Sequence, residues 1–458
     1  MTDPGRGLVM PSDLNEHIQQ TVMVDTHEHL RREDVWLKDG PGDVLADLFF
    51  VPYDGGDLVT AGASDRDVDR LADATAGDIA SRFAAVADAW DAMRLTGYGE
   101  AVRLHARLIY DMEQVTVPAM VAAQPRLEAL RRPGRRLQML RDEARLDHLQ
   151  VDDLSWACTA DESAPDFFLY DLNWRTFCNG GIELETPYAA IGTWRGVERE
   201  TGITVTGLKS LRRAMEAIFS LHGRRAIAVK SLHAYERSLS WRERSDHDAE
   251  RALQAVLARP DDAEEADRLC LGDWCLARGV ELAIEYDLPF KIHTGYLARN
   301  LPMRIDHLRA GHLCPLLIRY PQARFVLMHI AWPYNDELVA IAKHYSNVWV
   351  DLCWAWSCNP PVSADFVRRF LHAAPMNKLF AFGGDTWWPT RALVYSVQAR
   401  AWLTRALQAE VDDGDLSERQ AIDVADRLMR RNQLECFDVE GTRAAVREAP
   451  GAAAVPEV

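Results

Sequence analysis

The sequence predicts an α/β fold, a (β/α)8 TIM barrel distorted by a helical insertion after its first strand. Three observations predict it. Short, almost continuously apolar runs rich in β-branched and aromatic residues end in a polar or chemically active side chain. Stretches with helical periodicity lie between them. The runs number eight. Strands of that composition are buried on both faces, as in a parallel sheet covered by helices, and eight such units suggest a closed barrel.

Taken in order, the first strand is "TVMVDTHEH" at 21–29. Weaker strand signals follow in "HLQVDDLS" at 148–155 and "PDFFLYDLN" at 165–173. The remaining five are "RAIAVKS" (225–231), "PFKIHTG" (289–295), "RFVLMHI" (324–330), "NVWVDLC" (347–353) and "KLFAFGGD" (378–385). Helices are expected over 264–286, 334–345 and 363–373. The interval after the first strand is too long and too helical for one crossover, so residues 31–140 are read as a helical subdomain inserted on the active-site side, either a lid or oligomer contact or extra packing. The expected organisation is therefore 1–30 as N-terminal segment and first strand, 31–140 as insertion, 141–440 as the rest of the barrel, and 441–458 as a flexible tail ending in the Ala- and Pro-rich "EAPGAAAVPEV".

Bulk composition narrows the function classes. A net charge of −17 argues against a nucleic-acid partner, because binding phosphates needs clustered Lys and Arg. No apolar run approaches the roughly 20 residues that cross a bilayer, and "MTDPGRGLVM" has neither a basic leader nor a hydrophobic signal core. The expectation is a cytoplasmic protein acting on a small molecule, with a homo-oligomer as the common case for such enzymes. Eight scattered cysteines with no CxxC pair read as reduced, mostly core thiols.

In a barrel of this kind the chemistry sits at the carboxyl ends of the strands. Those ends offer His27 and His29, then Lys230, His293, His329 and Asp385. His27 and His29 are one residue apart, and on an extended strand both rings project to one face, which is chelating geometry. A lone histidine at a strand end is usually a hydrogen-bonded core residue; imidazoles with a carboxylate at several ends match the donor set of zinc, with manganese, iron or nickel as other candidates. For Asp385 the plain alternative is a turn residue after Gly383 and Gly384. Read from the residues alone, Lys230 is a cationic substrate contact or a lysine reaching from the barrel rim.

The ordered motifs "DTHEH", "KIHTG", "VLMHIAWP" and "FGGDTWW" make the sequence resemble the amidohydrolase superfamily. Flanking text such as "DLVTAG" and "TGYGEAVRLHARLIY" is more similar to the branch around uronate isomerases and their uncharacterised relatives. The resemblance implies that His27, His29, His293 and Asp385 hold one divalent ion, that Lys230 and His329 join if there are two, and that Lys230 would then be carboxylated. It also implies catalytic roles for Asp385, His329 and Lys230. Arg31 follows the first motif, where a guanidinium could clamp a carboxylate. Trp354 and Trp387 belong to the aromatic clusters "CWAWS" and "TWWP", which would wall a ring-shaped substrate. The implied activity is hydrolysis of a C–N or C–O bond in a small polar substrate by metal-activated water. The alternative is a non-oxidative decarboxylase or a uronate-type aldose–ketose isomerase acting on a small carboxylic acid. A non-catalytic scaffold is disfavoured because every expected ligand position is filled.

Overall fold

The computed structural model describes residues 13–181, 193–260, 262–299 and 302–448. Eight parallel strands form one sheet in sequence order: β1 (Met23–Glu28), β2 (Leu146–Val151), β3 (Phe168–Asn173), β4 (Ala226–Ser231), β5 (Phe290–His293), β6 (Phe325–Met328), β7 (Val348–Asp351) and β8 (Leu379–Phe380). Every residue of β1, β3 and β4 is buried. That is what two-sided coverage by helices requires of a parallel strand.

β8 is two residues long. Its continuation still closes the ring, because Thr26 N–H donates to Phe382 O at 3.0 Å and Asp385 N–H donates to His27 O at 2.9 Å. This seam sets the chain after β8 alongside β1 and so brings Asp385 to His27. Within the barrel the interior is partly polar: Lys291 Nζ donates to both carboxylate oxygens of Asp171, at 2.8 and 2.9 Å, and to Thr26 O at 2.8 Å. Two opposite charges with all near donors and acceptors used can be buried at tolerable cost.

The stretch between β1 and β2 is a set of helices, as expected of 31–140, and it is bound into the barrel. Asp47, in the helix Val44–Leu48, accepts from His105 Nε2 (2.9 Å), Tyr110 OH (2.6 Å) and Thr390 Oγ1 (2.8 Å), the last on the barrel helix Pro389–Asp412. Arg391 of that same helix pairs with buried Asp54 at 2.7 Å.

The other helices differ from expectation mainly at their ends. Glu265–Glu285 and Asn335–His344 fall within a residue of the predicted limits, while the helix predicted over 363–373 begins earlier, at Pro360. Asn359 caps it by accepting from Val362 N–H, and prolines fit a first helical turn, where their missing N–H has no partner to lose. The tail expected from 441 is also corrected: residues 439–448 form a helix that buries Val439, Thr442 and Val446. The rest of that expected tail lies outside the described residues.

Candidate metal centre

β1 delivers His27 and His29 to the carboxyl-end mouth, and the β8–β1 seam delivers Asp385 between them. His27 Nε2 lies 3.3 Å and His29 Nε2 3.5 Å from Asp385 Oδ1, with the two rings edge-on at 4.8 Å between centroids. One ligand atom from each of the three residues falls within 4.8 Å of the other two. Backbone geometry favours this aim. Asp385, His329 and Trp354, at the ends of β8, β6 and β7, all occupy the left-handed region at φ 58°, 63° and 59°. Residues other than glycine pay for that conformation, and such strain clusters at functional sites.

The outer nitrogens of two rings are tied to main-chain carbonyls: His29 Nδ1 pairs with Asp152 O (2.6 Å) and His329 Nδ1 with Cys353 O (2.9 Å). A proton held on Nδ1 leaves the Nε2 lone pair facing inward, the usual preparation of a metal-ligating histidine. His329 Nε2 is buried with no hydrogen-bond partner, which is the fit expected of a nitrogen that awaits a cation.

The charges of the site fit the same picture. Burial alone would raise the Asp385 carboxyl, but the hydrogen bond from His27 and the neighbouring His27, His29 and His329 rings hold it well below the usual carboxylate range. Burial and Lys230 disfavour a charged His27, yet Asp171 and Asp385 outweigh them and hold it above an ordinary imidazole. Burial, reinforced by His27, pushes His29 down to about 4, and burial pushes His329 down to about 3. An ionised carboxylate faced by the neutral imidazoles of His29 and His329 offers nitrogen and oxygen donors to a divalent ion, and such an ion would displace the proton that Asp171 and Asp385 favour on His27.

Lys230 is 1% exposed, with Nζ 3.1 Å from His27 Nε2. Its amine therefore sits in the ring of candidate ligands and not on the rim. His293 does not join the cluster as expected. Its Nε2 contacts Tyr296 O at 2.9 Å, its ring packs 4.3 Å from that of His329 and 4.9 Å from that of Tyr235, and among the described residues no three-ligand group within 4.8 Å includes it. Of the four expected ligands, His27, His29 and Asp385 converge within that distance, and His293 packs against His329 beside them.

The aromatic residues divide similarly. Trp354 lies at the site, 5.4 Å from His329 and stacked on Tyr53 at 4.9 Å. Trp387 packs on Phe50 at 5.3 Å, and the Arg31 guanidinium lies 5.8 Å from the Trp387 ring, so this pair belongs to the junction with the insertion. Two residues escaped the sequence reading. Tyr53 donates its hydroxyl to the Asp385 carbonyl, a link no local pattern in the insertion announces. Cys353 brings its thiol to Asp385 and His329, and its place just past β7 was the available signal.

A family model described as Amidohydrolase matches residues 235–424, which span β5 to β8 with His293, His329, Cys353 and Asp385. That part of the barrel is similar to the amidohydrolase family. Among solved structures, the barrel is similar to the glucuronate isomerase from Caulobacter crescentus (TM-score 0.74, 16% identity, 94% of this chain and 96% of that one). It is also similar to a uronate isomerase from Thermotoga maritima (TM-score 0.69, 14% identity, 93% and 96% covered). A metal-dependent hydrolase candidate from Lactobacillus casei shares the fold as well (TM-score 0.63, 13% identity, 94% and 99% covered). Protein fluG of Emericella nidulans is 24% identical over 230 residues, a match to 46% of this chain but only 26% of fluG. At these identities the solved structures establish a shared fold. No helix among the described residues is long and apolar enough to cross a membrane.

Proposed function

We propose that the chain is a metal-dependent hydrolase that cleaves a C–N or C–O bond of a small polar substrate, with zinc as the preferred ion. The observation that carries the reading is the convergence of His27 Nε2, His29 Nε2 and Asp385 Oδ1 at the barrel mouth. A divalent ion bound there supplies Lewis acidity toward a substrate oxygen and lowers the pKa of a water. His27 and His29 would hold that ion through Nε2. Asp385, kept ionised by the surrounding imidazoles, is placed to accept the proton of the attacking water at its carboxylate and return it to the leaving group. Lys230 has two compatible roles: carboxylated, it would add oxygen ligands for a second ion; as an ammonium, it would hold an anionic group of the substrate. Trp354, stacked on Tyr53, supplies an apolar wall that keeps water from the reacting bond.

A second reading, isomerisation of a uronate or decarboxylation of a small carboxylic acid, is favoured by the likeness over more than nine-tenths of the chain to two uronate-type isomerases. The two are separated by turnover in isotopic water on a panel of amides, lactones and uronates. Hydrolysis places one solvent oxygen in the product; aldose–ketose isomerisation instead exchanges a carbon-bound hydrogen. For either reaction, chelation should abolish activity and Asp385→Asn should lower kcat by on the order of 10²–10⁴-fold. Full turnover after chelation, or in a folded Asp385→Asn variant, would remove the metal-dependent reading altogether.

A further inference from the structure

We propose that Cys353 is the sulfur ligand of a second cation position, formed with His329 and Asp385 and sharing Asp385 with the position at His27 and His29. It rests on the metal-dependent reading above but adds a ligand of a different kind. A ring nitrogen of His329, the Cys353 sulfur and an Asp385 oxygen lie within 4.8 Å of one another, and all three residues are buried. Two further observations point to a bound cation. His329 is 3% exposed; its Nδ1 is committed to the Cys353 carbonyl, so the partnerless Nε2 is the nitrogen left to bind. Behind the thiol stands Gly383, where a Cβ would come within 2.7 Å of Cys353 Sγ and 2.9 Å of Thr26 Oγ1, so glycine there leaves the sulfur its place.

The donor chemistry defines what would bind. One imidazole, one thiolate and one carboxylate suit zinc, cobalt or cadmium and are poorly matched to magnesium or calcium, which take oxygen ligands. On binding, the S–H bond breaks, its proton leaves to solvent and the sulfur lone pair forms the bond to the cation; no electron changes hands. The two positions would then differ in softness, with imidazole nitrogens and an oxygen at the first and a sulfur at the second. This second position needs no carboxylation of Lys230.

The test uses the full chain, stripped of metal and titrated anaerobically with Co²⁺. Two equivalents are expected to bind, the second bringing a sulfur-to-cobalt charge-transfer absorption in the near ultraviolet. Cys353→Ser should lose that absorption and the second equivalent while still binding the first. X-ray absorption of the fully loaded wild type should show a sulfur neighbour at about 2.3 Å when zinc is used, a readout that does not depend on any variant folding. The proposal is overturned if Cys353→Ser keeps both equivalents and the absorption, or if the wild type stops at one equivalent with no sulfur neighbour. In that last case an ion sensitive to His27→Ala leaves the hydrolase reading standing. Binding of no ion at all brings down both.

Discussion

Gly384 shows how closely single residues are fitted around Asp385. A Cβ at this position would collide with the Glu28 carboxylate, whose Oε2 accepts from Thr386 N–H at 2.5 Å. Beside it, Asp25 Oδ1 accepts from Gly384 N–H and His27 N–H, and burial pushes the Asp25 carboxyl up to about 7 and Glu28 well above the usual range. A proton kept on Glu28 beneath the site spares the two carboxyls their mutual repulsion. Gly384→Ala should destabilise the protein by about 1–3 kcal/mol, the usual effect of overpacking a filled interior. It should also weaken metal binding, because Asp385 is the next residue. An unchanged urea midpoint together with unchanged metal affinity would show that the fit is looser than described. At this scale the sequence was readable where a residue both ended a strand and had metal-binding chemistry, as with His27, His29 and Asp385. His293 satisfies the same rule, and its contact with a carbonyl three residues on is one that no spacing reveals. Cys353 also satisfied the rule, but a buried thiol has an ordinary explanation as a small apolar side chain.

Among the elements, the insertion after β1 gives the clearest functional statement. Its helix Val51–Thr60 carries Tyr53, which donates to the Asp385 carbonyl and stacks on Trp354, and Asp54, which pairs with Arg391. The segment that looked like either a lid or extra packing thus reaches the presumed metal ligand through one hydroxyl. Tyr53→Phe keeps the ring stack and removes the donor, leaving a buried carbonyl short of its partner at a cost of about 1–3 kcal/mol. If the contact positions Asp385, kcat should fall by roughly tenfold, the equivalent of a barrier increase of about 1.4 kcal/mol, with KM little changed. Steady-state kinetics with wild-type values in both constants would assign the insertion to packing alone. The strands themselves were legible because two-sided burial leaves nearly continuous apolar runs. The short β8 was overestimated in length, since the run to Asp385 continues by seam hydrogen bonds after ladder pairing to β7 has ended. The path of the insertion was not legible, because its docking depends on buried polar pairs such as Asp47 with His105 that are far apart in sequence.

For the molecule as a whole, two linkages follow from groups distributed across the barrel. His105, His148 and His233 are buried away from the His27–His29–Asp385 cluster, and burial lowers each imidazole, His233 to about 3. Their folded values lie below the unfolded value near 6.5, so between the two the unfolded chain binds protons that the folded chain refuses. Stability must therefore fall as pH drops below about 6.5, with His233 contributing about 1.4 kcal/mol per pH unit and His105 and His148 acting in the same direction. Thermal unfolding between pH 7 and 5 reads this slope, and His105→Gln should remove one share of it; a flat Tm across that interval would contradict the burial of these rings as neutral species. Metal supplies the second linkage. An ion that binds the assembled His27, His29 and Asp385 but not the unfolded chain stabilises the fold by about 3 kcal/mol at a hundredfold excess over its Kd. The three ligands come from the end of β1 and from the chain after β8, so the ion would cross-link the seam that closes the barrel. Tm should accordingly rise by several degrees with Zn²⁺ and drop on chelation, and the dependence should vanish in His27→Ala, whose metal-free Tm should itself lie below that of the metal-free wild type because the ring is fully buried. A melting temperature indifferent to both zinc and chelator would mean that these donors do not close the barrel around an ion.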